Sequence, residues 1–388
     1  MPFTLHGIFP NYYDETWVSY TFKSLLENMQ SDVLEISGLV GSKAKTINKQ
    51  HIQEILPLNL QRLFRIFGWK SHPENLLHWI ISLSRFKAGD IAYMWLTNPP
   101  SFCNKLRSKD VLVVREMINC TLDLRRNALK QAYLAFDGSD YKGITDTDID
   151  NEKKQLLSAD FIYCPNPFVK QSVMAYGVPE WRCIECSYGW SPQRLKNDSP
   201  LLPKCEGITL LFVGTVDVRK GSPVLLEAWA KSGVKGRLIL AGHIDPDISK
   251  NCKSWLERND VVCLGHVEDV GAVYQSADIF CFMTWEEGGP IVTIEAMSQG
   301  LPVIVTPMGT AGLFSADEDI GLIVQPGNVD ELINAIRLLS TNEELRKNMG
   351  KLAKQRAEMF TWEQVGKKRL DLLLEKRDEW LSNLTVKL

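Results

Sequence analysis

Short apolar runs alternate with amphipathic stretches along the whole chain, and this alternation limits the fold more than any other feature. In the second half the runs ITLLFVG (208–214), RLILAG (237–242), VVCLG (261–265), DIFCFMT (278–284), PVIVT (302–306) and GLIVQ (321–325) are apolar at most positions. Such runs suit strands covered on both faces, as in parallel sheets. Between them, 222–232, 249–257, 269–276, 290–299, 328–340 and 342–358 carry helical period. The first half repeats the pattern. Strands are expected at FTLHGIFP (3–10), DVLEISGLV (32–40), IAYMWLT (91–97), VLVVRE (111–116), FIYCP (161–165) and CIECSY (183–188), with helices at 16–29, around 123–134 and at 166–176.

At 388 residues the chain is too long for one ordinary core. The alternation predicts two doubly wound α/β domains with parallel sheets, residues 1–190 and 207–360, joined by a polar, proline-containing linker at 191–206. A net charge of −3 with 23% charged residues gives no basic surface for nucleic acid and excludes a disordered chain. The start MPFTLHGIFPNYY lacks the n-region and h-region of a signal peptide, and no apolar window is long enough to span a membrane. A cytoplasmic protein is the expectation, and its nine scattered cysteines read as reduced, small apolar residues. Cys183 and Cys186 have C-x-x-C spacing, but with no second such pair they read as strand residues and not as a metal site.

Open parallel sheets bind ligands at the carboxyl ends of their strands, so the loops after strands are where chemistry belongs. In LFVGTVDVRKGSPVLL (211–226), a strand ends at Gly214, and Arg219, Lys220 and Gly221 precede a helix expected to be capped by Ser222 with Pro223 at its first position. Free amides at a helix start backed by cations form a phosphate site, although a surface basic pair beside a cap has the same appearance. Neither G-x-G-x-x-G nor G-x-x-x-x-G-K-[ST] occurs, against a dinucleotide oxidoreductase or a P-loop NTPase.

The second loop is TWEEGGPIVTIEAM (284–297). Gly288 and Gly289 allow close approach of a ligand to the amides of a helix that Pro290 starts and Gly300 ends. Glu287 falls in the loop and Glu295 inside the helix. Carboxylates there would accept hydrogen bonds from neutral hydroxyls, as in sugar and ribose binding. A diphosphate flanked by two polyols describes a nucleotide sugar.

These segments resemble the retaining glycosyltransferases of family 4, group 1 enzymes with the two-Rossmann-domain GT-B fold. The resemblance is carried by G-x5-K-G at 214–221, the Y-x-x-A-D in DVVCLGHVEDVGAVYQSADIF (260–280), E-x7-E at 287 and 295, and EAMSQGLPVIVT at 295–306. The terminal FTWEQVGKKRLDLL (360–373) is similar to the family's closing helix, which implies that 361–388 packs back on the first domain. The implied reaction is metal-independent transfer of a sugar from a nucleotide sugar, with no cofactor. No D-x-D motif stands in a suitable loop.

The resemblance implies a uridine- or guanosine-linked donor. The acceptor would be a glycan precursor, a lipid-linked sugar or a small molecule. Glu287 would hold the donor sugar near its reacting carbon, Glu295 the ribose, and Lys220 the diphosphate with the amides of Gly289 and Ile291 beside Gly288 and Pro290. Gly214 and Thr215 would line the diphosphate loop. Thr215 stands where the family usually has a second cation, a charge Arg219 would supply. Gly265, His266 and Val267 would border the base.

The first half departs from the family. Where relatives carry a glycine pair, this chain has PNYYDETWVSY (10–20), in which Ser19 or Thr16 would have to meet the phosphate. Where relatives carry a histidine, Arg115 and Glu116 follow VLVV, to contact and orient the acceptor or to form a structural ion pair. Gly189, in CSYGW, is expected to need an unusual backbone angle. His243 reads as a solvated loop residue. The segment LNLQRLFRIFGWK (58–70) would suit contact with an anionic membrane, though core packing with a basic edge has the same pattern. Oligomeric state has no sequence signal. A nucleotide-sugar epimerase on the same fold, or a donor-binding protein without activity, are the alternatives.

Overall fold

In the computed structural model, residues 3–13, 17–32, 34–43, 52–54, 83–196, 199–310, 312–314 and 319–385 are described. The first domain holds β1 (Phe3–Tyr13), β2 (Leu34–Lys43), β3 (Ile52–Glu54), β4 (Ile91–Met94), β5 (Leu112–Glu116), β6 (Phe161–Cys164) and β7 (Cys183–Glu185). They form one sheet in the order β3-β2-β1-β4-β5-β6-β7, with every pairing parallel. The second domain holds β8 (Ile208–Val213), β9 (Gly236–Ala241), β10 (Val261–Gly265), β11 (Ile279–Phe282), β12 (Val303–Val305) and β13 (Gly321–Ile323). Their order, β10-β9-β8-β11-β12-β13, repeats the 3-2-1-4-5-6 winding of a Rossmann unit in parallel pairings. The order reverses between β1 and β4 and between β8 and β11, so the crevice of the second sheet opens between the loops after β8 and β11.

Burial explains why these strands are legible in the sequence. Every residue of β8 and β11 is buried, because helices cover both faces. In β5, alternate side chains feed two cores: Leu112 and Val114 one, Val113 the other. The first of these cores also contains Trp362, Val365, Leu370 and Leu373 of the last helix, Trp362–Thr385. The chain therefore returns to the first sheet after building the second. It crosses at Trp190, whose N–H donates to the Phe360 carbonyl while Trp362 N–H donates to the Trp190 carbonyl.

Several local expectations are corrected. The helix at 249–257 is two pieces, Pro246–Asn251 and Lys253–Leu256, broken at Cys252. Gly221, and not Ser222, is the residue before helix Ser222–Ser232; it sits at φ +69°, and a Cβ there would lie 1.9 Å from the Met283 carbonyl oxygen. Pro290 precedes helix Ile291–Ser298 instead of starting it. Gly189 has no positive φ; it is small because Trp362 passes within 2.9 Å of where its Cβ would be.

Helices Pro100–Arg107 and Asp146–Ser158 and strand β3 were not foreseen. No helix among the described residues is long and apolar enough to cross a membrane. The segment 58–70, Thr16 and most of 44–82 lie outside the described residues, and with them the membrane-contact reading.

Candidate active site

Both loops predicted to carry chemistry meet at the crevice of the second sheet. After β8 the chain turns sharply: Asp217 accepts the Lys220 N–H at 2.7 Å through its carboxylate and the Ser222 N–H through its carbonyl, and Val218 accepts from Gly221. This turn folds Lys220 back over the strand end. Its Nζ lies 2.9 Å from where a Cβ on Gly214 would be, and 5.6 Å from the centre of the Phe282 ring. Any side chain at 214 would displace the amine, and Gly214 itself is at φ +137°. Burial lowers the Lys220 pKa, Glu287 opposes that shift and Arg219 adds to it. Among the described residues Lys220 makes no ion pair. Thr215 is half-buried beside it.

Arg219 fastens one loop to the other. Its Nη1 donates to the Glu286 carbonyl at 3.0 Å and to Glu287 Oε2 at 3.1 Å, while its carbonyl accepts the Trp285 N–H. Burial works against its charge, but Glu287, Glu286 and Asp217 outweigh it and raise its pKa. Glu287 thus faces the same space as the two cations. Helix Ile291–Ser298 begins four residues later, and its first N–H groups have no partner within the helix.

On that helix Glu295 is 1% exposed. Its Oε2 accepts from the Tyr274 hydroxyl at 3.1 Å, whereas Oε1 has no hydrogen-bond partner and lies 3.6 Å from Arg194 Nη1. Burial raises its pKa; Arg194 and Tyr274 act in the opposite direction. An unfilled, buried carboxylate oxygen is ready for a hydroxyl donor. Gly265 (φ +66°) ends β10, and exposed His266 and half-buried Val267 follow it, two strands from β8, which places them roughly 10 Å along the sheet from the diphosphate loop.

The first domain closes over this site. A Cβ on Gly288 would lie 1.8 Å from the Ile118 carbonyl oxygen, and one on Gly289 would lie 2.3 Å from the Tyr188 ring. Asn166 donates to the Gly288 carbonyl. The glycine pair thus makes room for the backbone and an aromatic ring of the opposite domain, a reason for glycine beside the expected approach of a ligand to the helix amides.

Arg115 and Glu116 part company, because neighbouring strand residues point to opposite faces. Glu116 is fully buried. It forms an ion pair with Arg369 of the last helix at 2.8 Å and accepts from the Tyr93 and Tyr188 hydroxyls. Its oxygens are all engaged, which corrects the acceptor-orienting role: Glu116 is the internal ion pair. Arg115 donates to the Leu96 carbonyl, but its Nε and Nη1 are buried without partners. Burial lowers its pKa to about 10 against the pull of Glu152 and Glu116. Ser19 is buried on helix Trp17–Asn28, and His243 is exposed on its loop.

Sequence reasoning missed four contributors: Glu286, Arg125, Arg194 and Asn166. Glu286 stands directly before Glu287 and outside the E-x7-E spacing, and the others lie in stretches whose local pattern says nothing about a second domain. Among the described residues no cluster of His, Cys, Asp and Glu is arranged to hold a metal ion.

Comparison with known proteins fits this geometry. The family described as glycosyl transferases group 1 matches residues 194–356. An uncharacterized glycosyltransferase of Haemophilus influenzae is 27% identical over 183 residues, covering 44% of this chain and 52% of that protein. The chain spans about half or less of the length of the curated relatives it matches. Among solved structures, sucrose-phosphate synthase from Thermosynechococcus elongatus superposes with a TM-score of 0.72 at 18% identity, covering 96% of this chain and 98% of that one. An Anabaena protein in complex with UDP-glucose superposes at 0.68 with 13% identity, covering 96% and 99%. Residues 194–356 are thus similar to the group 1 glycosyl transferases, and the chain's two facing parallel-sheet domains have the GT-B fold.

Proposed function

We propose that this protein is a family 4 glycosyltransferase that moves a sugar from a nucleotide-sugar donor to an acceptor hydroxyl, with retention of anomeric configuration and without a metal ion. One observation carries the reading. Lys220, which has no ion pair among the described residues, and Arg219 share a crevice with Glu287 and with Glu295, whose Oε1 is unfilled. The cations and the amides at the start of helix Ile291–Ser298 suit a diphosphate, and the carboxylates suit hydroxyl-bearing groups on either side. UDP-glucose bound to the similar Anabaena protein supports a donor of this class.

The bond from the anomeric carbon to the diphosphate breaks with its electron pair going to the phosphate oxygen. Lys220 and Arg219 stabilise that growing charge, a role for which fixed cations can stand in place of a divalent ion. Glu287 holds the sugar as it gains positive character. Retention requires the acceptor oxygen to bond on the face the diphosphate leaves. The departing oxygen is then the nearest base for the acceptor's proton.

Incubation with UDP- and GDP-sugars and water alone, in the presence of a chelator, tests this. Slow release of nucleoside diphosphate and a free sugar with its first-formed anomer retained is expected. An altered sugar would point to an epimerase, and tight binding without turnover to a binding protein. Inversion, or dependence on a divalent ion, would overturn the mechanism. The acceptor is a sugar-containing or other hydroxyl compound met by the first domain.

A further inference from the structure

Glu286 is the acidic residue that the donor-site reading does not use, and it is 0% exposed. Its carboxylate lies between the two domains. From the first domain, Cys120 Sγ donates to Oε1 at 3.3 Å and Arg125 Nε stands 3.5 Å from Oε2. From the second, Arg219 Nη1 stands 3.6 Å from the same Oε2. Neither cation makes a hydrogen bond to Oε2, and both Oε2 and Arg125 Nε are buried without a hydrogen-bond partner. One carboxylate oxygen is therefore shared loosely by a guanidinium from each domain. Arg219 in turn already donates to Glu287.

A buried carboxylate that loses one counter-ion must gain another or take up a proton. We propose that Glu286 exchanges counter-ions when a diphosphate binds: Arg219 turns to the diphosphate, and Glu286 closes onto Arg125, drawing helix Leu122–Asp137 against the donor loop. Arg125 and Glu286 are positioning residues in this scheme, and Arg219 links the donor to them. The acceptor side is completed only after the donor is in place. Gly288 permits the approach, because the Ile118 carbonyl occupies the space a side chain would need. The proposal rests on the donor-site reading, since it needs a diphosphate at Arg219.

Hydrogen exchange of the full chain with and without uridine diphosphate or guanosine diphosphate tests it, using wild type and Arg125→Gln. The Arg125 side chain is 32% exposed, Glu286→Gln provides a second, nearly isosteric variant, and Tm measured on each verifies that both variants fold. In wild type, nucleotide is expected to slow exchange in both 214–222 and 117–130, the latter by roughly tenfold. In each variant the slowing at 214–222 persists and that at 117–130 is lost. Equal nucleotide-dependent slowing of 117–130 in wild type and both variants would overturn the exchange while leaving the donor site standing. Absence of any effect at 214–222 in wild type would overturn the donor reading and the exchange with it.

Discussion

At the residue scale, the environment of each charged group sets a measurable pH response. Lys220 must be protonated to hold a diphosphate, and burial lowers its pKa below the ordinary 10.5. The alkaline limb of kcat/KM is expected to fall below that value, and Lys220→Arg should move the limb upward while keeping measurable turnover. A limb unchanged in Lys220→Arg would assign it to another group. Burial raises the carboxyls of Glu286 and Glu295 above the ordinary 4.5. Their contribution to stability is then fully present below that value and is lost as pH rises through the raised pKa. The ligand-free protein should lose Tm over that range, and Glu295→Gln should lose less. An identical Tm profile for Glu295→Gln would mean that Glu295 does not titrate in the folded state.

The sequence revealed Lys220, Glu287 and Glu295 because each stands at a fixed spacing from a strand end and a glycine. It singled out Glu287 by its spacing to Glu295 and gave no role to Glu286, the adjacent acidic residue. Their roles diverge only when the second domain supplies Cys120 and Arg125. Glu116 was ambiguous for the same reason: its partner Arg369 is far along the chain, in the last helix.

At the element scale, strands with both faces buried announce themselves, whereas helices that bury little do not. Helix Asp146–Ser158 fully buries Leu156 alone and is polar apart from Leu156, Ile149 and Leu157, so its period is faint. Its signal is the start: Thr145 accepts from the Asp148 N–H while the Asp148 carboxylate accepts from the Thr145 N–H. Thr145→Ala should cost about 1 kcal/mol and lower Tm by a few degrees without affecting turnover. An unchanged Tm would show that the reciprocal cap adds nothing. Helix Pro100–Arg107 was hidden by its own start, since Pro99 and Pro100 read as loop although proline is well suited to a first turn. The glycines at the crevice act on the same scale. Gly221 needs both its positive φ and the space beside the Met283 carbonyl, so alanine there must move the turn that carries Lys220.

At the scale of the whole molecule, the last helix binds the first domain through a buried charge. Arg369 is enclosed by Glu116, Tyr93, Tyr163 and Tyr188, and it also donates to the Cys186 and Ser187 carbonyls. Removing one member of such a pair strands the other. Glu116→Ala should cost about 3–5 kcal/mol, and combining it with Arg369→Met should restore part of that loss. Strict additivity in denaturant unfolding would contradict the pairing. The domains do not seal everywhere: Phe136, Val218, Pro223, Trp255 and Trp285 line a cavity of about 170 Å³ between them. An interface with such a gap beside glycine-mediated backbone contacts is suited to opening and closing.

Two parallel, doubly wound sheets followed from alternation, although β3 and two helices of the first domain did not, and the return of the chain to the first sheet was implied only by resemblance, because no local pattern in WEQVGKKRLDLL specifies which core receives it. The central claim is that the crevice between the loops after β8 and β11 is where a nucleotide sugar is cleaved. Its most direct test is the rate of nucleoside diphosphate release by wild type, Lys220→Ala and Glu287→Ala, with Tm measured on each. The account predicts a loss of about 10²–10³ in kcat for each variant at near-unchanged Tm; wild-type turnover in either would contradict it.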